Sequence, residues 1–178
     1  MHRLQERRPV PPLTRAKPSG GRARVSTKRL LVALACAVGV VVLDQVTKSL
    51  AVAHLGSGPV HLIGPLSLQL AYNTGVAFSI GSGLTLPIVL AASGLIVLLV
   101  WFLRGAPSMS AAVGLGLVIG GAASNLGDRL FRGRDGAVVD FIHLGFWPTF
   151  NVADTAITIG CIVLLVLFVR GELRRSSR

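Results

Sequence analysis

With 178 residues, 52% of them hydrophobic and only 14% charged, and a mean hydropathy of +0.69, the chain is too apolar for an ordinary soluble domain, in which about 25% of residues carry charge. The net charge of +11 does not point to nucleic acid, because nine of the 18 Lys and Arg precede Leu30, and Arg170, Arg174, Arg175 and Arg178 follow the last apolar run. Basic flanks around apolar runs mark the cytoplasmic side of membrane proteins.

Residues 1–28 are rich in Arg, Pro, Gly and Ser without apolar periodicity, which predicts a disordered basic cytoplasmic tail within reach of anionic headgroups. Residues 29–172 are expected to form a membrane domain and 173–178 a second basic cytoplasmic tail. Apolar runs approaching the roughly 20 residues that cross a bilayer lie at about 30–53, 84–103, 109–128 and 152–170. The expected fold is therefore an all-α membrane protein, a bundle of four transmembrane helices with both termini cytoplasmic. Cys36 and Cys161 sit inside apolar runs and read as packing residues.

The first run is featureless until Asp44-Gln45-Val46-Thr47-Lys48. Asp44 and Lys48 are i,i+4 and share a helix face, either as a neutralising ion pair or as a polar post lining a site. Residues 55–80 contain Gly56, Gly58, Pro59, Gly64 and Pro65 and are not a span. Leu66, Leu68 and Leu70 alternate with Ser67, Gln69 and Ala71. That period predicts a strand, and so a small extracytoplasmic β-sheet between the first two spans. Asn73-Thr74-Gly75 reads either as a turn or as a polar side chain aimed into a pocket. The second run has no ionisable residue up to Arg104 and reads as scaffold. The third carries Gly114, Gly116, Gly120, Gly121, Ala122, Ala123 and Ser124, which permit close helix packing. Asn125, Asp128 and Arg129 follow on one face. Residues 130–150 form an outer connection, with Phe146 and Trp147 suited to the membrane interface.

Four of the seven acidic residues, Asp128, Asp135, Asp140 and Asp154, lie between Gly120 and Asp154. Ionisable groups at membrane depth are costly, so they are functional or paired. On a rise of about 1.5 Å per residue, Asp44 stands about 20 Å above Leu30, Asp128 about 27 Å above Ser110 and Asp154 about 24 Å above Arg170. Three carboxylates from three spans thus reach one layer, and Asp140 can fold back to it. Two such groups in a partly dry site share a proton, as an aspartic protease requires. Asp154 also fits the first turn of a helix capped by Asn151, and Asp128 can pair with Arg129 or Arg132. Asp140 stands in Val-Val-Asp-Phe-Ile without an adjacent cation. The residues favour Asp140 with Asp154 and leave Asp128 with Asp154 as the alternative.

Five blocks in this order resemble the bacterial lipoprotein signal peptidase (signal peptidase II) family. They are Asp44-Gln45-Val46-Thr47-Lys48, Asn73-Thr74-Gly75-Val76-Ala77-Phe78-Ser79, the run from Gly120 to Arg129, Val138-Val139-Asp140-Phe141, and Phe150-Asn151-Val152-Ala153-Asp154. The resemblance implies an intramembrane aspartyl endopeptidase at the extracytoplasmic face of the bacterial plasma membrane. Its catalytic pair would be Asp140 and Asp154. Its substrate-contacting residues would be Asp44, Lys48, Asn73, Asn125, Asp128, Arg129 and Asn151. The implied substrate is a diacylglyceryl-modified prolipoprotein, cut before the lipidated cysteine. Ser124 stands where the family more often has Gly, and the connection from Asp140 to Asn151 looks short.

Membrane lipid is an expected partner, and a monomer is expected. Nucleic acid, cofactor and metal are not; Asp140 and His143 are three apart, but no further His or Cys lies nearby to complete a site. A small proton-coupled transporter or channel subunit is the rival reading. It would need polar groups at successive depths, whereas here they gather at one.

Overall fold

The structure is a computed structural model that describes residues 26–75 and 85–176. Helix α1 spans Thr27–His54 and is followed by strands β1 (Val60–Ile63) and β2 (Leu66–Asn73). Helices α2 (Thr85–Leu103) and α3 (Met109–Phe131) come next, then β3 (Val138–Leu144), β4 (Trp147–Phe150) and helix α4 (Val152–Ser176). All four helices are long and apolar enough to cross a membrane. The expected tail over residues 1–25, and Val76–Ser79 of the second motif block, lie outside the described residues.

Helix α1 begins at Thr27 and α4 continues to Ser176, beyond the boundaries predicted from hydropathy. Lys, Arg and Glu are good helix formers, so backbone helix outruns the apolar stretch. Two helix starts are chemically marked. Ser108 caps α3, its hydroxyl accepting from the Ala111 N–H at 3.1 Å. Arg29 ties the start of α1 to the α2–α3 turn by donating to the Ala106 carbonyl at 2.7 Å.

Helix α3 is the least hydropathic of the four and the most buried, because it is the central one. Its glycines let the neighbouring backbones approach. A Cβ built on Gly116 would stand 2.6 Å from the Ala33 carbonyl oxygen of α1, and one on Gly121 would stand 2.5 Å from that of Ala153 in α4. Small residues at helix contacts are how membrane helices pack without a hydrophobic drive between them.

The sheet corrects two expectations. It has four antiparallel strands in the order β1-β2-β3-β4, so the fold is not purely helical. Only β1 and β2 lie between the first two spans; β3 and β4 come from the α3–α4 connection. A two-stranded hairpin is marginal by itself, and β2 gains its partner from that connection. Val138–Ile142 gave no strand signal because neither face alternates; residues 138–141 are all buried. Leu68, Leu70 and Ile142 pack over Ala51 and Leu55 at the end of α1, together with Phe141. The β2–β3 register pairs Ala71 with Asp140 and Asn73 with Val138, with a bulge between Leu68 and Ala71. Bulges recur beside active sites, where they re-aim a side chain.

Candidate active site

Asp44, Lys48 and Asp128 form the floor of the site, and all three are completely or almost completely buried. The Lys48 ammonium lies 2.7 Å from Asp44 and 2.9 Å from Asp128. Its third donor goes to Asn125 Oδ1 at 2.8 Å. A buried ammonium needs all three of its donors used, and here they are. Asp44 accepts further bonds from the Ser124 hydroxyl at 2.7 Å and the Ala153 N–H at 2.9 Å. Asp128 accepts from Gln45 at 2.8 Å, Arg132 at 2.9 Å and the Val139 N–H at 3.1 Å. These bonds join α1, α3, the start of α4 and the start of β3 at one level, the layer that the helical rise predicts. Among the described residues, no buried side-chain nitrogen or oxygen lacks a hydrogen-bond partner.

Asn151 and Asp154 close the start of α4 as a reciprocal cap. The Asp154 N–H donates to Asn151 Oδ1 at 2.9 Å, and the Asn151 N–H donates to Asp154 Oδ2 at 3.1 Å, the pattern of a capping box. With its oxygen committed to a backbone N–H, Asn151 turns its amide NH2 towards Asp140, donating at 2.6 Å. Asn73 is oriented likewise: Gly75 N–H donates to its oxygen at 3.0 Å, and its NH2 donates to Asp140 Oδ2 at 3.3 Å. Asn125 obeys the same logic. Lys48 can only donate, so Asn125 Oδ1 must face it, and Nδ2 donates to Asp154 Oδ1 at 2.8 Å.

Asp140 and Asp154 therefore each have one carboxylate oxygen or both held by a fixed amide, and both face one cavity of about 460 Å³. Asn73, Asn125 and Arg129 line it as well, whereas Asp44, Lys48, Asp128 and Asn151 lie behind its wall. Its other walls are mostly apolar: Ile88, Ala92 and Leu95 of α2, Leu126, Ile157, and Trp147, Pro148 and Phe150 of β4, with Thr149 and Thr158 among them. The pKa of Asp140 is raised to about 7, first by burial and then by the neighbouring Asp154 charge, against hydrogen bonds from Asn151 and Asn73 and the charge of Lys48.

Arg129 does not pair with Asp128. Its guanidinium donates to the Gly136 carbonyl at 2.8 Å and to the Gly75 carbonyl, so it clasps the loop before β3 to the end of β2. Asp128 pairs instead with Arg132 of its own helix. In the clasped loop Arg134 and Asp135 both have positive φ, 58° and 54°, and the Arg134 guanidinium stacks 4.4 Å over the Tyr72 ring. Asp140 and His143 sit three apart on a strand, and so point to opposite faces. Among the described residues, no cluster of three His, Cys, Asp or Glu could hold a metal.

Several contributors were not legible in the sequence. The backbone N–H groups of Ala153 and Val139 carry no side-chain signature. The α2 residues of the cavity wall, in a run read as plain scaffold, look like any lipid-facing apolar residues. Gln45 stands in the sequence only inside a longer motif block, and Ser124 reads there as a small packing residue, not as the donor to Asp44 that it is.

Comparison with known proteins shows the family. Residues 36–170 match Peptidase_A8, signal peptidase (SPase) II. A lipoprotein signal peptidase of Mycobacterium tuberculosis (strain ATCC 25618 / H37Rv) is 42% identical over 169 residues, covering 90% of this chain and 84% of the relative. One of Rhodococcus jostii (strain RHA1) is 45% identical over 152 residues, covering 83% and 77%. A solved bacterial membrane enzyme, determined by the in meso method at 2.3 Å, superposes with a TM-score of 0.72 at 27% identity over 80% of this chain and 90% of that one. The chain belongs to the signal peptidase II family, an aspartic peptidase family of membrane enzymes that process lipoproteins.

Proposed function

We propose that Asp140 and Asp154 are the catalytic dyad of an endopeptidase acting on diacylglyceryl-modified prolipoproteins. The observation that carries this is their shared exposure to one cavity with their oxygens already oriented by Asn73, Asn125 and Asn151. The dyad holds one proton between its two members. The ionised member takes a proton from a water molecule as that water attacks the scissile carbonyl. The neutral member donates to the developing oxyanion. Collapse of the tetrahedral intermediate breaks the C–N bond, and the departing amine takes a proton from the dyad. No covalent enzyme intermediate forms.

The cavity is polar at one end and apolar along α2, Leu126 and Ile157. That division suits a peptide whose cysteine carries a diacylglycerol, with cleavage just before that cysteine. Asn73, Asn125 and Arg129 face the cavity and are in place to touch the substrate backbone. Asp44, Lys48, Asp128 and Asn151 are buried, so the contact role expected of them gives way to a positioning one: they aim the groups that do touch it. The basic flanks favour a topology with both termini in the cytoplasm and the site at the extracytoplasmic face.

The test is incubation of the purified protein with a diacylated precursor and a non-lipidated control, with the product ends mapped by mass spectrometry. The proposal expects cleavage immediately before the lipidated cysteine and little turnover of the control. Equal rates on both would remove the lipidated substrate class.

A further inference from the structure

Two hairpin tips at one end of the sheet carry no polar side chain. One reads Leu62-Ile63-Gly64-Pro65-Leu66 and the other Leu144-Gly145-Phe146-Trp147-Pro148. Both are two-residue turns, closed by Ile63 opposite Leu66 and by Leu144 opposite Trp147. Each begins with a glycine at φ +51°. Turns of this kind in water ordinarily take Asn, Asp or Ser beside the glycine; here the second turn residues are Pro65 and Phe146.

The tips are neighbours. Leu66 pairs with Leu144 across β2 and β3, and Gly145 backs directly onto Pro65. Together they present Phe146 at 90% exposure, Ile63 at 78%, Leu62 at 53% and Trp147 at 49%. Scattered exposed apolar residues are ordinary, but a contiguous apolar knob marks a surface that something covers.

The position of the knob says what covers it. Four consecutive residues of β4, Trp147 to Phe150, line the same cavity as Ile88, Ala92 and Leu95 of α2. At 19 residues, α2 is about 28 Å long, the thickness of the hydrocarbon core. The strand therefore lies across the open end of the bundle beside α2 and does not stand off it. The tip it leads to falls where hydrocarbon meets headgroups, continuous with the lipid-facing surface of the helices.

We propose that the paired tips, residues 62–66 and 144–148, insert into the outer leaflet as an apolar wedge, their occupant being the glycerol and upper acyl region of phospholipid. Trp147 sits at the glycerol level, as interfacial tryptophan does. The wedge fixes the β4 wall of the cavity at the lipid surface, on the side from which a lipid-anchored peptide arrives. The outer-leaflet assignment rests on the orientation proposed above, but its readout is fluorescence and is independent of peptidase activity.

The chain has two tryptophans, Trp101 and Trp147, so Trp101→Phe leaves Trp147 as the sole reporter. The full chain is reconstituted in phosphatidylcholine–phosphatidylglycerol vesicles, with bromine either near the glycerol end of the acyl chain or absent. The expected result is loss of about half of the Trp147 emission to the brominated lipid, with little quenching by aqueous iodide. Adding Ile63→Asp and Phe146→Asp should reverse that order. Quenching by iodide alone would place the tip in water and overturn the proposal. Protection from both quenchers would put protein on the tip and overturn it equally. If the double substitution does not fold, the Trp101→Phe protein decides the matter alone.

Discussion

Lys48 donates to Asn125 Oδ1 at 2.8 Å and the Asn151 NH2 donates to the same oxygen at 3.2 Å, and these bonds decide which end of the Asn125 amide meets Asp154. An amide is free to rotate by half a turn unless a neighbour can only donate or only accept. The ammonium can only donate, so an N–H is left for the Asp154 carboxylate.

Lys48→Met should therefore do two separable things. It leaves Asp44 and Asp128 buried without their shared cation, and stranding one side of a buried ion pair costs about 3–5 kcal/mol. It also removes the shorter of the two bonds that orient the Asn125 amide, leaving the one from Asn151. Asp128 keeps Arg132, so combining Lys48→Met with Asp44→Asn removes the charge left without a cation and should recover part of the lost unfolding midpoint in detergent, but not turnover. Recovery of turnover in step with stability would show that Lys48 only holds the helices together.

The raised pKa of Asp140 gives a pH dependence. Its carboxyl binds a proton more tightly in the folded protein than a free aspartate does at its ordinary value of 3.8, with a folded value of about 7. The resulting stabilisation is fully present below about 3.8 and is lost as pH rises through about 7. Asp140→Asn never ionises, so its unfolding midpoint should exceed that of the wild type at about pH 8, with the gap closing towards about pH 4. In activity, kcat/KM should fall on the alkaline side as the dyad loses its last proton, near pH 7. A profile flat through that range would contradict the shared proton.

The glycines of α3 are not equivalent. Gly121→Ala would put a Cβ 2.5 Å from the Ala153 carbonyl oxygen, a backbone atom that moves only with the whole of the Asp154 turn. Overpacking of this kind costs about 1–3 kcal/mol, and activity should fall with stability. Gly127 meets nothing within 4 Å, so Gly127→Ala should be neutral or stabilising by up to about 1 kcal/mol through helix propensity. Thermal unfolding of the two variants side by side checks the packing.

Arg129 clasps two carbonyls with one planar guanidinium, a fork that lysine lacks. Arg129→Lys should loosen Gly75 and, with it, the Asn73 amide that Gly75 orients. The expected result is a fall in kcat/KM of about tenfold or more with stability nearly kept, since one displaced catalytic contact is enough for that. Steady-state kinetics on the lipidated precursor measure it.

The four spans, the strand at Leu66–Asn73 and the meeting of Asp44, Asp128 and Asp154 at one depth were legible in the sequence because hydropathy, period 2 and helical rise are local rules. Strands β3 and β4 were not, since Val138 to Phe141 are buried on both faces and leave no alternation. The dyad's candidates were readable but not their supports. Asp128 stands in the sequence as the alternative partner for Asp154, and its oxygens prove to be committed to Lys48, Gln45, Arg132 and the Val139 N–H. That commitment depends on α1, some eighty residues away, and on the start of β3, contacts that only the fold creates, like the share of α2 in the cavity wall.

The central claim is that Asp140 and Asp154 share the proton that cleaves the peptide. The direct measurement is turnover of a diacylated precursor by purified Asp140→Asn and Asp154→Asn proteins, each first shown to unfold cooperatively in detergent. The account predicts that both remain folded and that cleavage falls by about four orders of magnitude or to background. Turnover within about tenfold of wild type in either folded variant would contradict it.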